Sequence, residues 1–193
     1  MTAIAVSSSR SLLTCGAVAG PLWAGLSLAQ ALFRPGFELT EQPLSLLSSG
    51  SLGWLQILNF IVAGVLTMLG AAGLSRVLPS RWAPRLVFAS GVGLIAAGVF
   101  VMDSGPELTW SGYGHMIAGT VSFGTLIAAC YVLGRYFNRA GNRAFAVASY
   151  VSGTALLVGD LWAMGGGTAG SLTIAIGAIA ATLWVSYVSA SFR

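Results

Sequence analysis

Residues 54–85 read WLQILNFIVAGVLTMLGAAGLSRVLPSRWAPR, and this stretch decides the fold. From Trp54 to Leu78 the only charge is Arg76, close to the end. That length matches the roughly 20 helical residues needed to cross about 30 Å of hydrocarbon. The run then breaks at Pro79 and Pro84, among Arg76, Arg81 and Arg85. An apolar segment closed by prolines and an arginine patch reads as a membrane span ending in a cytoplasmic turn, because positively charged flanks resist translocation.

The same unit recurs in both directions. The spacing predicts spans at Ser11 to Phe33, Trp54 to Leu78, Pro84 to Met102, Gly114 to Phe137, Ala144 to Met164 and Ser171 to Phe192. The expectation is an all-α polytopic membrane protein, one compact bundle of six transmembrane helices occupying residues 1–193 as a single domain. Composition agrees: 56% of the 193 residues are apolar, 7% are charged and the mean hydropathy is +0.85, whereas soluble proteins carry about 25% charged residues. Every basic residue is an arginine. Arg10, then Arg76, Arg81 and Arg85, then Arg135, Arg139 and Arg143, and finally Arg193 mark one side of the membrane, which places both termini in the cytoplasm. The other side receives Arg34 with Glu38 and Glu41, then Asp103 with Glu107, then an uncharged turn after Met164. The localisation this implies is a bacterial plasma membrane.

The net charge of +4 is spread over short loops with no room for a soluble domain, so nucleic acid is not expected as a partner. Cys15 and Cys130 lie in apolar runs and read as buried thiols. The first run is too long for the apolar core of a cleaved signal, and Leu12-Leu13-Thr14-Cys15 precedes the hydrophobic stretch instead of following it, so neither cleavage nor lipidation is expected. Small residues such as Gly16, Gly20, Gly64, Gly70, Gly91 and Gly93 recur along the spans, where they let helix backbones approach. Trp54, Trp110 and Trp162 are placed at the outer interface and Trp82 at the inner one. The loop from Arg34 to Ser48 is too apolar to hang free and too short to span. It is read as lying along the interface, its leucines packing over the bundle as a lid, with Arg34 pairing Glu38 or binding a lipid phosphate.

Polar residues inside the spans concentrate toward the outer half: Gln30, Gln56, Asn59, His115 and Asp160. Gln56 and Asn59 are three apart and share a helix face. Asp103 at the exit of the third span and His115 at the entry of the fourth are expected at similar depth. A carboxylate within a span is costly and a functional candidate by default, which singles out Asp160. The catalytic candidates are therefore Asp160, His115 and Asp103, an acid and base set against a carboxylate-oriented or capping role for the histidine. The ligand-binding candidates are Arg34, Glu38, Gln56, Asn59 and Trp110. With one histidine and no outer cysteine, no metal site and no cofactor are expected.

The elements Arg34-Pro35-Gly36-Phe37, Pro43-Leu44-Ser45, Gly53-Trp54-Leu55-Gln56 and Asn59-Phe60, followed by Gly91 to Phe100, Asp103 and His115, carry a family likeness. Over most of its length the chain resembles the bacterial membrane family known as domain of unknown function 998. The resemblance implies a compact six-helix membrane protein with its signature residues on the outer side and no agreed activity. Gln42 and Ser111 stand where relatives often have histidines. Both departures remove imidazoles and leave His115 with the acids.

The functional expectation is a lipid or other amphiphilic small molecule held in an outward-facing polar pocket. Rival readings are an intramembrane enzyme using Asp and His acid–base chemistry on an isoprenoid-like substrate, and a transporter or accessory subunit. The spans show no polar path through their inner half, as an ion-coupled carrier would need. Oligomeric state is left open.

Overall fold

A computed structural model describes residues 3–105 and 107–193. The chain forms α1 (Ala3–Phe33), a short 3-10 helix η1 (Leu44–Ser48), α2 (Gly53–Val77), α3 (Trp82–Val99), α4 (Trp110–Arg139), α5 (Arg143–Met164) and α6 (Gly170–Ser191). The six α-helices are each long and apolar enough to cross a membrane. No strand occurs among the described residues.

Each helix packs on its neighbours in sequence, and α1 packs on α6, so the six close into a ring. Across the middle, α6 also touches α2 and α4. Small residues set these approaches. At the crossing of α1 and α2 the backbone of Gly16 lies directly over Gly70, where a methyl group on either would collide with the other chain. The backbone N–H of Gly20 on α1 donates to Ser186 Oγ on α6 at 2.9 Å, a contact that any larger residue at 20 would prevent. In lipid, where apolar burial alone does not favour helix on helix over helix on solvent, such packing supplies the association energy.

Three boundaries differ by three residues or more from the pattern in the sequence. The first helix begins at Ala3, eight residues before Ser11. The third helix stops at Val99, not Met102, because the backbone turns to extended geometry at Phe100. The fourth begins at Trp110, not Gly114, because Thr109 caps it: its side-chain oxygen accepts from Gly112 N at 3.3 Å. The four tryptophans expected at the interfaces are all exposed on the surface, Trp110 most of all at 90%. Trp23, by contrast, is buried inside the ring.

In the loop after α1, leucines do pack over the bundle. Leu44 and Leu47 point into the bundle, the latter fully buried, and η1 covers one end of the ring. That end also holds the connections α3–α4 and α5–α6, as hydrogen bonds between the three loops show: Ser49 Oγ donates to Met102 O at 3.2 Å and Ser171 Oγ to Glu41 O at 2.9 Å. The arginine patches fall at the opposite end.

Candidate functional site

The roof is pinned by one cation. Arg34 follows the last residue of α1, and its guanidinium donates to Leu47 O at 2.8 Å and to Ser49 O at 2.5 Å, gripping η1 at its C-terminal end. These are carbonyls that a helix end leaves without internal partners, so a planar fork of N–H donors is suited to hold them. Gly50, with φ +76°, lets the chain turn beside this side chain. A weaker tie runs from Ser45 Oγ to Met102 Sδ at 3.2 Å. Arg34 makes no ion pair with Glu38; that carboxylate is exposed, and the Glu38 backbone instead exchanges hydrogen bonds with Gln42.

Beneath the roof lies an interior cavity of about 90 Å³ walled by α1, α2, α3, α4 and α6, with Pro43, Leu44 and Ser45 as its cover. A smaller cavity of about 30 Å³ lies deeper and shares Trp23, Leu94, Ser122 and Phe123 with it. Together they form the lumen of the helix ring. Its surface is mostly apolar. His115 and Ser45 are polar members of the wall near the roof, Ser122 stands at the junction with its Oγ donating to Ser90 O at 3.1 Å, and Thr67, Thr182, Ser186 and Ser189 border the deeper cavity.

His115 stands one and a half turns into α4, facing the end of α3. Its Nδ1 lies 3.0 Å from Ala97 O and 2.7 Å from Phe100 O. Carbonyl oxygens only accept, so Nδ1 carries the hydrogen, and the neutral ring then presents a lone pair at Nε2. Nε2 has no hydrogen-bond partner among the described residues. The imidazole thus closes off the C-terminus of α3 with one nitrogen and offers an acceptor on the cavity wall with the other.

Gln56 and Asn59 do share a face, and that face is turned to α1. Gln30 Nε2 donates to Gln56 Oε1 at 2.7 Å, Gln56 Nε2 to Ser27 Oγ at 3.0 Å, and Asn59 Nδ2 to Trp23 O at 3.1 Å and to Ser27 Oγ at 3.1 Å. This network fastens α1 to α2; Gln30, Gln56, Asn59 and Ser27 line neither lumen cavity, whereas Trp23 borders both. Sequence reading passed over Ser27, its centre, and Trp23, because a serine or tryptophan within a span carries no signal until its neighbour is known. Buried Trp23 Nε1 and Asn59 Oδ1 have no partner.

The acids go elsewhere. Asp103 accepts from Thr109 N at 2.7 Å and Thr109 Oγ1 at 2.8 Å, so it secures the start of α4 and does not touch His115. Asp160 is half-buried near the end of α5, makes no hydrogen bond among the described residues, and lines neither lumen cavity. The expected meeting of Asp103, His115 and Asp160 is therefore not formed; no three His, Cys, Asp or Glu side chains gather among the described residues. Trp110 stands outside the bundle.

A family model described as protein of unknown function (DUF998) matches residues 17–192. No curated protein and no solved structure matches the chain.

Proposed function

Because the chain belongs to the DUF998 family, whose description names no reaction, we propose from the geometry alone that this multipass membrane protein binds a small amphiphilic molecule in the lumen beneath η1. The observation that carries the reading is His115: a tautomer set by two backbone carbonyls, with the opposite nitrogen unbonded, on the wall of a mostly apolar cavity. A ligand hydroxyl or amide N–H donates to Nε2, and its hydrocarbon part lies against Phe60, Leu94 and Phe123. The indole N–H of Trp23, in the same wall and without an acceptor, favours a head that also accepts.

Size sets the terms. An apolar cavity of roughly 150 Å³ accepts benzene. The 90 Å³ beneath η1 therefore takes a headgroup or a chain end, and a longer molecule enters only as η1 moves off. With the arginine patches in the cytoplasm, the roof faces the outside of a bacterial plasma membrane. Binding is favoured over acid–base catalysis because Asp103 is committed to Thr109 and Asp160 stands apart.

Mass spectrometry of molecules that co-purify with the protein tests this. Gly119 lines the lumen and a side chain there meets open space, so Gly119→Leu fills the cavity without disturbing helix contacts. The expected result is an amphiphile in wild-type protein that is depleted in Gly119→Leu; equal loading of the two rejects the lumen as its site.

A further inference from the structure

Arg34 presents a second feature that the lumen does not absorb. Between α1 and α2, at the η1 end, runs a groove of about 240 Å³ lined by Leu26, Ala29, Phe33, Leu52 and Leu55, with Gln30 and Arg34 at its margin. Phe33 and Leu52 are both exposed, Phe33 at 85%, which opens this groove to the hydrocarbon around the bundle. Across Arg34 lies a different, wide hollow of about 350 Å³ whose border mixes Gln42, Ser49 and Ser104 with Phe37 and Leu46. One guanidinium belongs to both walls. It is half-buried and spends two donors on Leu47 O and Ser49 O, leaving its remaining N–H groups and its full positive charge without an acidic partner among the described residues.

We propose that this pair of hollows is a binding site for an anionic phospholipid of the surrounding bilayer, with an acyl chain in the groove between α1 and α2 and the phosphate against Arg34 in the wider hollow, beside Gln42, Ser49 and Ser104. Charge selects the occupant: a half-buried cation lacking a carboxylate is offset by an anion, and a guanidinium meets phosphate with paired hydrogen bonds. The apolar groove selects a lipid over a free anion, since an inorganic phosphate leaves it unfilled. Because the same guanidinium grips η1, the bound headgroup also steadies the roof. The site is separate from the lumen and stands whether or not the lumen takes a ligand.

The test is the thermal stability of the purified full-length protein in detergent, titrated with phosphatidylglycerol, phosphatidylcholine or inorganic phosphate. Phosphatidylglycerol is expected to raise the midpoint saturably at concentrations about tenfold or more below phosphatidylcholine, because the choline ammonium of the latter cancels the charge of its phosphate and is repelled by Arg34. Phosphate alone is expected to do nothing. Arg34→Gln should abolish the preference between the two lipids. Should Arg34→Gln fail to fold, Ala29→Phe decides: it fills the groove, leaves Arg34 and η1 in place, and should weaken phosphatidylglycerol binding. Equal effects of the two lipids, full stabilisation by phosphate, or an unaltered response in Ala29→Phe would each overturn the site. Gly119→Leu, which blocks the lumen, should leave the phosphatidylglycerol response intact; its loss there would move the lipid to the lumen and also overturn the proposal.

Discussion

Nδ1 of His115 lies 2.7 Å from the carbonyl oxygen of Phe100, the residue at which α3 leaves helical geometry. The bond ties the entry of α4 to the exit of α3 and determines which ring nitrogen faces the lumen. Four predictions extend from this and the neighbouring contacts.

Replacing His115 by Leu removes the one side-chain donor to Ala97 O and Phe100 O among the described residues; both carbonyls lie at a partly buried helix end. Stranding such acceptors costs about 1 to 3 kcal/mol. The variant should unfold at correspondingly lower denaturant in detergent. A stability equal to wild type would mean that the α3 terminus does not depend on the imidazole.

The network around Ser27 should prove modest in strength. Hydrogen bonds between membrane helices average about 0.6 kcal/mol and reach about 1.7 kcal/mol. A double-mutant cycle with Ser27→Ala and Gln56→Leu is therefore expected to give a coupling energy in that range, because each change removes the partner of the other at 3.0 Å. Zero coupling would show that the two side chains are satisfied independently.

Two glycines separate packing from helix propensity. Gly70→Val drives a branched side chain into the Gly16 backbone, and overpacking of this kind costs about 1 to 3 kcal/mol. Gly124→Ala adds a methyl group where nothing lies within 4 Å, so it should leave stability unchanged or raise it by up to about 1 kcal/mol. Similar effects of both substitutions on the thermal midpoint would contradict the α1–α2 crossing.

Reporter fusions determine orientation. A cytoplasmic signal is expected at Ser80, beside Arg76, Arg81 and Arg85, and an external one at Gly166, on the uncharged turn at the η1 end. An external signal at Ser80 would invert the assignment and put the roof and Arg34 on the cytoplasmic side.

The candidate site was only partly legible. Gln56 and Asn59 were placed on one face by their spacing of three, and they do act together. Their partner Ser27 could not be found, because nothing in α2 says which side of α1 it meets. Arg34 was singled out as an unusual cation, yet the carbonyls it grips belong to residues 13 and 15 positions away, across a turn whose path depends on Leu44 and Leu47 being buried.

The amino-acid sequence by itself determined the number of helices, the gathering of every arginine but Arg34 toward one end and the position of each polar side chain along its helix axis. Depth follows from counting residues along a helix of known rise, and hydropathy anchors that count to the membrane. Only the tertiary structure decided azimuth, the direction in which each side chain faces around its helix axis. That depends on where pairs such as Gly16 and Gly70 cross, and on the closure of the ring by α1 against α6. Hence Asp103 and His115 lie at the same end of the bundle and serve different helix ends, while Arg34, Leu47 and Ser49 come together over the lumen.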